Sequence, residues 1–119
     1  MRSSLNSRQA GWGWLSQAIS GILLVLLLGM HWVAQHYLAT GGLRTYSEVV
    51  SYLGNPLVLL LEVAFLAVVT YHALLGLRAV LLDLGPGKRL VRLLDAGLIL
   101  TGIATVLYGI SLLRLILAM

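Results

Sequence analysis

The chain alternates long apolar stretches with short polar ones. Apolar residues dominate from about residue 12 to 38, from 56 to 84 and from 90 to 117. A helix needs about 20 apolar residues to cross the hydrocarbon core of a bilayer. The pattern therefore predicts an all-α membrane protein, with three transmembrane helices in a single domain covering residues 1–119.

The segments between the spans carry turn signals. Gly41 and Gly42 open the first loop, residues 46–53 are predicted to form a short interfacial helix, and Pro56 suits the first turn of the second span. Gly85-Pro86-Gly87 ends the second span and turns the chain into the third. The first apolar run is too long for the core of a cleaved signal peptide, so we expect it to be a retained span.

Basic residues predict the orientation. The N-terminal tail carries Arg2 and Arg8, and the second loop carries Lys88, Arg89 and Arg92. The first loop has only Arg44, whose charge is offset by Glu48. Short loops rich in Lys and Arg stay in the cytoplasm. The N-terminus and second loop are therefore predicted to be cytoplasmic, in a multi-pass protein of the cell inner membrane.

Composition supports this class and narrows the function. The sequence is 60% hydrophobic and 10% charged, with a mean hydropathy of +0.97. The formal net charge of +4 is explained by membrane orientation, so we expect no nucleic-acid partner. Because the sequence has no cysteine, it cannot supply thiolate ligands to a metal or an iron–sulfur centre. Three spans leave no room for a soluble catalytic domain.

His72 is the leading candidate for a cofactor ligand. At 100° per residue it shares a face of the second span with Phe65, Gly76, Ala79 and Asp83. The small residues beside the imidazole leave space for a flat ligand. An alternative is that the imidazole only hydrogen-bonds a neighbouring helix.

His31 is the second candidate ligand. Gln17 and Ser20 lie within about 40° of it on the helical wheel, whereas His36 points about 140° away. His31 lies about 25 Å from Trp14 and His72 about 18 Å from Leu84, which places His31 nearer the outer surface. The two imidazoles are therefore expected to lie at different depths of the membrane and to belong to separate sites.

Other polar residues in the spans have two interpretations each. If the flat ligand at His72 is a haem, Arg78 is long enough to reach one of its propionates; Arg78 can instead act as an interfacial anchor. Asp83 can pair with Arg78 or Lys88. Glu62 suggests proton transfer or a nearby quinone, but it can also reach water. Trp14, Gln17 and Ser20 could hydrogen-bond a quinone, although tryptophan at this depth also suits the headgroup region.

Several motifs resemble one family. His72-x-x-x-Gly76-x-Arg78-x-x-x-x-Asp83 resembles the second transmembrane helix of the haem b membrane-anchor subunits of succinate dehydrogenase and fumarate reductase. Residues 14–21 are similar to the opening pattern of that family, although Ala18 stands where many members have arginine. Residues 30–37 are similar to the end of the first helix in two-haem members, and Leu84 replaces a tyrosine found in some quinone-binding members.

The resemblance implies half of a haem-binding helical bundle, completed by a second anchor subunit. It implies His72 and His31 as axial ligands of the iron in one or two b haems, and quinone as substrate near Gln17, Ser20, Trp14 and Asp83. The implied partners are the sister anchor, an iron–sulfur subunit and a flavoprotein. The chain would then be a non-catalytic subunit that helps to pass electrons to quinone.

Three other classes are the alternatives. A cofactor-free structural or assembly subunit of another respiratory complex would use the histidines only for packing. A small multidrug-type transporter would need a carboxylate inside its first helix, and residues 12–38 contain none. A quinol-oxidising cytochrome b of another complex would share the haem chemistry but lack a flavoprotein partner.

Overall fold

The computed structural model contains helices α1 (Arg2–His36), α2 (Tyr46–Leu53), α3 (Pro56–Asp83) and α4 (Lys88–Ala118). It describes residues 2–38, 41 and 44–119, with side chains from residue 11 onward. Helix α1 from Gly11, α3 and α4 are each long and apolar enough to cross a membrane. The prediction of an all-α protein with three long apolar helices is confirmed, as is the short helix before the second span.

The largest difference from the predicted elements is at the start of α1. The helix begins at Arg2, ten residues before the predicted apolar span. Residues 2–10 contain no glycine or proline, so the helix can continue into the polar tail. Arg2 and Arg8, which support the predicted orientation, have side chains outside the described ones. The other two long helices lie within two residues of the predicted spans, at Pro56–Asp83 and Lys88–Ala118.

Local signals explain where α3 begins and ends. The Asn55 side chain accepts a hydrogen bond from the backbone N–H of Leu57 at 2.9 Å, and Pro56 occupies the first turn. At the other end Gly85 has φ +68°, a left-handed conformation that favours glycine, and its N–H bonds the carbonyl of Leu82 at 3.0 Å. This tight turn makes α3 and α4 a helical hairpin.

Helix α3 is the centre of the fold. It packs against α1 on one side and α4 on the other, and among the described residues α1 and α4 make no helix–helix contact. The short helix α2 contacts both α3 and α4. The protein is elongated, measuring 58 × 25 × 23 Å.

Few side chains are buried within the chain. Among those described, Leu53 and Ser20 are the only buried ones, at 6% and 5% exposure. Large apolar side chains along all three long helices are exposed. Lipid tails and neighbouring membrane subunits are the apolar surroundings that such faces require.

Two glycines of α4 let it approach α3 closely. A Cβ built on Gly102 would lie 2.8 Å from Leu74 Cδ1, and one on Gly109 would collide with Leu66 Cδ2. Small residues at helix interfaces are a common means of close packing in membranes. These two glycines, seven residues apart on α4, therefore face α3.

We expect Gly109→Ala to destabilise the hairpin, because the methyl group would force Leu66 out of its position. Overpacking of this kind costs about 1–3 kcal/mol. The higher helix propensity of alanine offsets at most about 1 kcal/mol of that cost. Gly97→Ala is the matched control, since nothing lies within 4 Å of its Cβ position. Thermal unfolding in detergent should show a lower midpoint for Gly109→Ala alone, and equal midpoints would contradict this packing.

Candidate functional site

The His72 imidazole lies in the contact between α3 and α1. Its Nδ1 is 3.0 Å from Ser20 Oγ, and its Nε2 is 3.5 Å from Gln17 Nε2. Ser20 and Gln17 lie one turn apart on α1, so both face the same ring. The structure therefore brings three of the predicted site residues into one cluster.

The contacts of Ser20 bear on the tautomer of His72. Ser20 Oγ lies 3.0 Å from both the Gln17 carbonyl oxygen and His72 Nδ1, and when its single proton goes to the carbonyl it accepts from Nδ1–H. A neutral imidazole with a proton on Nδ1 has its lone pair on Nε2. Nε2 faces the Gln17 amide nitrogen, which is a donor, and this contact is consistent with that assignment.

Small residues make room around this cluster. A Cβ on Gly21 would lie 3.3 Å from His72 Cε1, and one on Gly76 would lie 3.4 Å from Gln17 Nε2. Gln17 Oε1 is buried and has no hydrogen-bond partner. A buried amide oxygen without a donor is costly, so this side chain has a reason to move when a suitable ligand arrives.

His31 forms a second cluster nearer the other end of the same contact. Its Nδ1 lies 2.8 Å and 2.9 Å from the two carboxylate oxygens of Glu62, and its ring stacks on Phe65 with centroids 5.1 Å apart. Glu62 also accepts a hydrogen bond from the Tyr52 hydroxyl at 3.0 Å. Thus α1, α2 and α3 converge on one carboxylate, whose side chain is 13% exposed.

Arg44 joins this cluster to α1. Its guanidinium lies 4.2 Å from the centre of the Tyr52 ring, a cation–π contact, and Nη2 donates to the carbonyl of Ala34 at 2.8 Å. Burial of the Tyr52 phenol, together with its hydrogen bond to Glu62, raises the pKa of Tyr52 to about 12. The neutral phenol is therefore the form that the folded protein favours.

The two clusters lie at different depths. Their contacts on α3 are made by Glu62 and His72, ten residues apart, which corresponds to about 15 Å along a helix. His31 and His72 are therefore too far apart to ligate one iron atom. Among the described side chains, no three of His, Cys, Asp or Glu converge on one point, so the structure offers separate single imidazoles.

Arg78 pairs with an acid that the sequence interpretation did not consider. Its Nε and Nη2 donate to the two carboxylate oxygens of Asp95 on α4, at 2.6 Å and 3.1 Å. The expected pairing of Asp83 with Arg78 is wrong, because Asp95 occupies the guanidinium. Asp83 is exposed at the end of α3, and Lys88 makes no ion pair with it among the described residues.

The remaining predicted residues lie outside both clusters. The Trp14 indole is 73% exposed on α1. His36 contacts the Trp32 ring edge-on at 5.6 Å and does not approach His31's partner Glu62. Contact of Trp14, Gln17, Ser20 and Asp83 with a quinone stays a prediction.

Three residues that contact Arg78 or the His31 cluster were not identified from the sequence pattern: Asp95, Tyr52 and Arg44. Asp95 could have been found, since an acid inside a predicted span needs a partner, and Arg78 and Asp95 lie eight and nine residues from Pro86 in a hairpin. Tyr52 and Arg44 gave no comparable signal. Their contacts depend on how α2 folds back over the end of α1.

The three long apolar helices define a multi-pass membrane protein. The His72 and His31 clusters are polar sites between its helices. Residues 2–112 match the family of succinate dehydrogenase/fumarate reductase transmembrane subunits. The match covers most of the chain, and the chain therefore belongs to this family.

Individual relatives agree with this membership. The chain is 37% identical over 100 residues to a succinate dehydrogenase hydrophobic membrane anchor subunit of Archaeoglobus fulgidus, covering 84% of this chain and 85% of the relative. It is 28% identical over 94 residues to a protein of the same name from Thermoplasma acidophilum, covering 79% and 76%. It is also 33% identical over 84 residues to the succinate dehydrogenase 2 membrane subunit SdhC of Mycobacterium tuberculosis, covering 70% and 61%. No solved structure matches significantly.

We expect the Tyr52 phenol to stay protonated at pH values where an ordinary tyrosine ionises. The pKa of a free phenol is about 10, so the unfolded chain loses this proton first. The stability associated with Tyr52 is complete below pH 10 and is lost between about pH 10 and about 12. The difference between the tyrosinate absorbance titrations of wild type and Tyr52→Phe should have a midpoint near pH 12; a midpoint near 10 would contradict the buried contact.

We expect Asp95→Asn to destabilise the protein in the membrane, because it leaves the Arg78 charge without its partner. An unpaired charge in a span is costly, whereas replacing both partners by apolar residues is much less so. Yield and melting midpoint should fall in Asp95→Asn and recover in Arg78→Met/Asp95→Leu. A double variant as unstable as the single one would show that the ion pair is not the cause.

Proposed function

We propose that this chain is a membrane-anchor subunit of a succinate:quinone oxidoreductase that ligates haem b and helps to pass electrons to quinone. Its family membership supports the anchor role. The observation that carries the haem assignment is the His72 imidazole, whose Nδ1 lies against the hydroxyl of buried Ser20 and whose Nε2 faces only the Gln17 side-chain amide, at 3.5 Å. The chain has no catalytic activity by itself in this proposal.

The residues around His72 fit a haem. A b-type haem takes an imidazole as axial ligand, and a neutral ring costs far less in a membrane than a charged group. The absence of side chains at Gly21 and Gly76 lets the His72 ring and Gln17 lie against the neighbouring backbone, and Gln17 is the side chain that faces Nε2. A groove of about 370 Å³ between α1 and α3 borders Ser20, and in this proposal a sister anchor subunit supplies the rest of the surroundings.

His31 is the proposed ligand of a second haem nearer the outer surface. Its Nδ1 bond to Glu62 likewise leaves Nε2 available, and a carboxylate behind a ligating histidine makes the ring a stronger donor. Each haem would be completed by a histidine of the sister subunit, which accounts for two clusters at different depths.

When bound, haem supplies one-electron transfer between the iron–sulfur subunit and quinone. The chain's own residues orient the imidazoles and keep water away from them. Arg78, with three N–H groups beyond those given to Asp95, is proposed to bind a propionate. Gln17, Ser20, Trp14 and Asp83 are proposed to lie near quinone, and Glu62 to transfer protons at the outer end.

The proposed complex contains a second anchor subunit, an iron–sulfur subunit and a flavoprotein in the cell inner membrane. The exposed apolar faces of α1, α3 and α4 support a membrane-embedded neighbour, because the chain buries so little of its own surface. The basic start of α4, with Lys88, Arg89 and Arg92, supports a cytoplasmic position for that end.

A cofactor-free anchor or assembly subunit is the alternative. The observation that favours it is that both imidazoles already hydrogen-bond across the α1–α3 contact. Packing alone would explain such bonds. Haem content of the complex separates the two functions.

The deciding test is a reduced-minus-oxidised visible spectrum of the purified complex, with haem measured against flavin by pyridine haemochrome. Two b haems per flavin would support ligation by both His31 and His72, and one haem would leave His72 as the ligand. A complex that carries flavin but no haem would overturn the proposal and favour the cofactor-free anchor.

We expect His72→Ala to remove the inner haem and weaken assembly, and His31→Ala to remove only the outer one. His36→Ala is the matched control, because it changes a histidine of α1 that lies outside both clusters. The measurements are the ratio of haem to flavin and the midpoint potential of each haem in the complex. Unchanged haem spectra in the first two variants, or loss of haem in the control, would show that the ligands are misassigned.

A further inference from the structure

We propose that Ser20 is a positioning residue for His72, which holds the imidazole in the tautomer and orientation needed to coordinate haem iron through Nε2. This inference rests on the proposed function. It assigns to Ser20 a role toward the ligating imidazole, beyond its proposed place near quinone. The support is the chain of hydrogen bonds from His72 Nδ1 to Ser20 Oγ and on to the carbonyl of Gln17.

Ser20 is enclosed between the His72 ring and the backbone of α1. It is 5% exposed, and its hydroxyl lies 3.0 Å from both the Gln17 carbonyl oxygen and His72 Nδ1. In this proposal the hydroxyl donates to the carbonyl and accepts from Nδ1–H. Nε2 is then the nitrogen left for a metal.

The same contact orients the ring. Ser20 Oγ on α1 lies 3.0 Å from Nδ1, and Gly21 beside it has no Cβ, which would come within 3.3 Å of Cε1. The Nε2 edge of the ring faces the Gln17 side chain. An outer partner of this kind commonly orients a ligating histidine and raises its basicity.

The two clusters differ in the group that faces Nδ1 of each imidazole. His31 has a carboxylate on its Nδ1, whereas His72 has a neutral hydroxyl. A neutral acceptor polarises the imidazole less than a charged one, so Ser20 contributes mainly geometry and tautomer, with a smaller electronic effect. Losing the Ser20 hydroxyl should therefore change the haem at His72 without removing every haem from the complex.

The test uses the complete complex carrying Ser20→Ala, Ser20→Thr or Ser20→Val. Thr and Val have nearly the same shape, and only Thr keeps a hydroxyl oxygen to accept from Nδ1. Ser16→Ala is the matched control, because Ser16 lies one turn earlier on α1 and has no described hydrogen bond to His72. Each variant is measured for haem per flavin, for haem midpoint potential and for the low-temperature EPR signal of the ferric haem, which reports ring orientation.

We expect Ser20→Ala and Ser20→Val to raise the potential of one haem and shift its EPR signal, or to lose that haem, because the imidazole becomes a weaker and less oriented donor. Ser20→Thr and Ser16→Ala should stay close to wild type. Unmoved potential and EPR signal in Ser20→Ala with full haem content would overturn the positioning role, as would equal losses in Thr and Val. A wild-type complex without haem would instead overturn the proposed function.

Discussion

The contact between α1 and α3 organises this protein, and polar bonds specify it. In a bilayer the apolar side chains gain little from leaving lipid for a helix interface, so hydrogen bonds and close packing decide which faces meet. Here the bonds from His72 to Ser20 and from His31 to Glu62 fix the register of the two helices at two depths. The same bonds orient the two imidazoles, so the packing of α1 against α3 also positions both rings.

Helix α3 also has to satisfy a second neighbour. On its other side Gly102 and Gly109 of α4 admit Leu74 and Leu66, and Arg78 binds Asp95 toward the turn between α3 and α4. A charged pair in a span is stable only when both members are present. The hairpin therefore has a local means of fixing its own register, independent of the imidazole clusters.

The chain leaves most of its apolar surface exposed, and this limits what it can do alone. With Leu53 and Ser20 as the buried residues among the side chains described, the helices enclose almost no interior of their own. An anchor subunit of this family is expected to be one part of a larger helical assembly.

The sequence by itself determined the fold class, the three spans and the residues worth testing. Apolar length, the Asn55-Pro56 start and the Gly85-Pro86-Gly87 turn act locally, and ionisable residues within spans are few enough to identify by inspection. The tertiary structure alone decided which of them meet. The pairing of Arg78 with Asp95 rather than Asp83, and of Tyr52 with Glu62, depends on helix register and on the path of α2. Those are set by contacts summed over whole helices, which no single motif encodes.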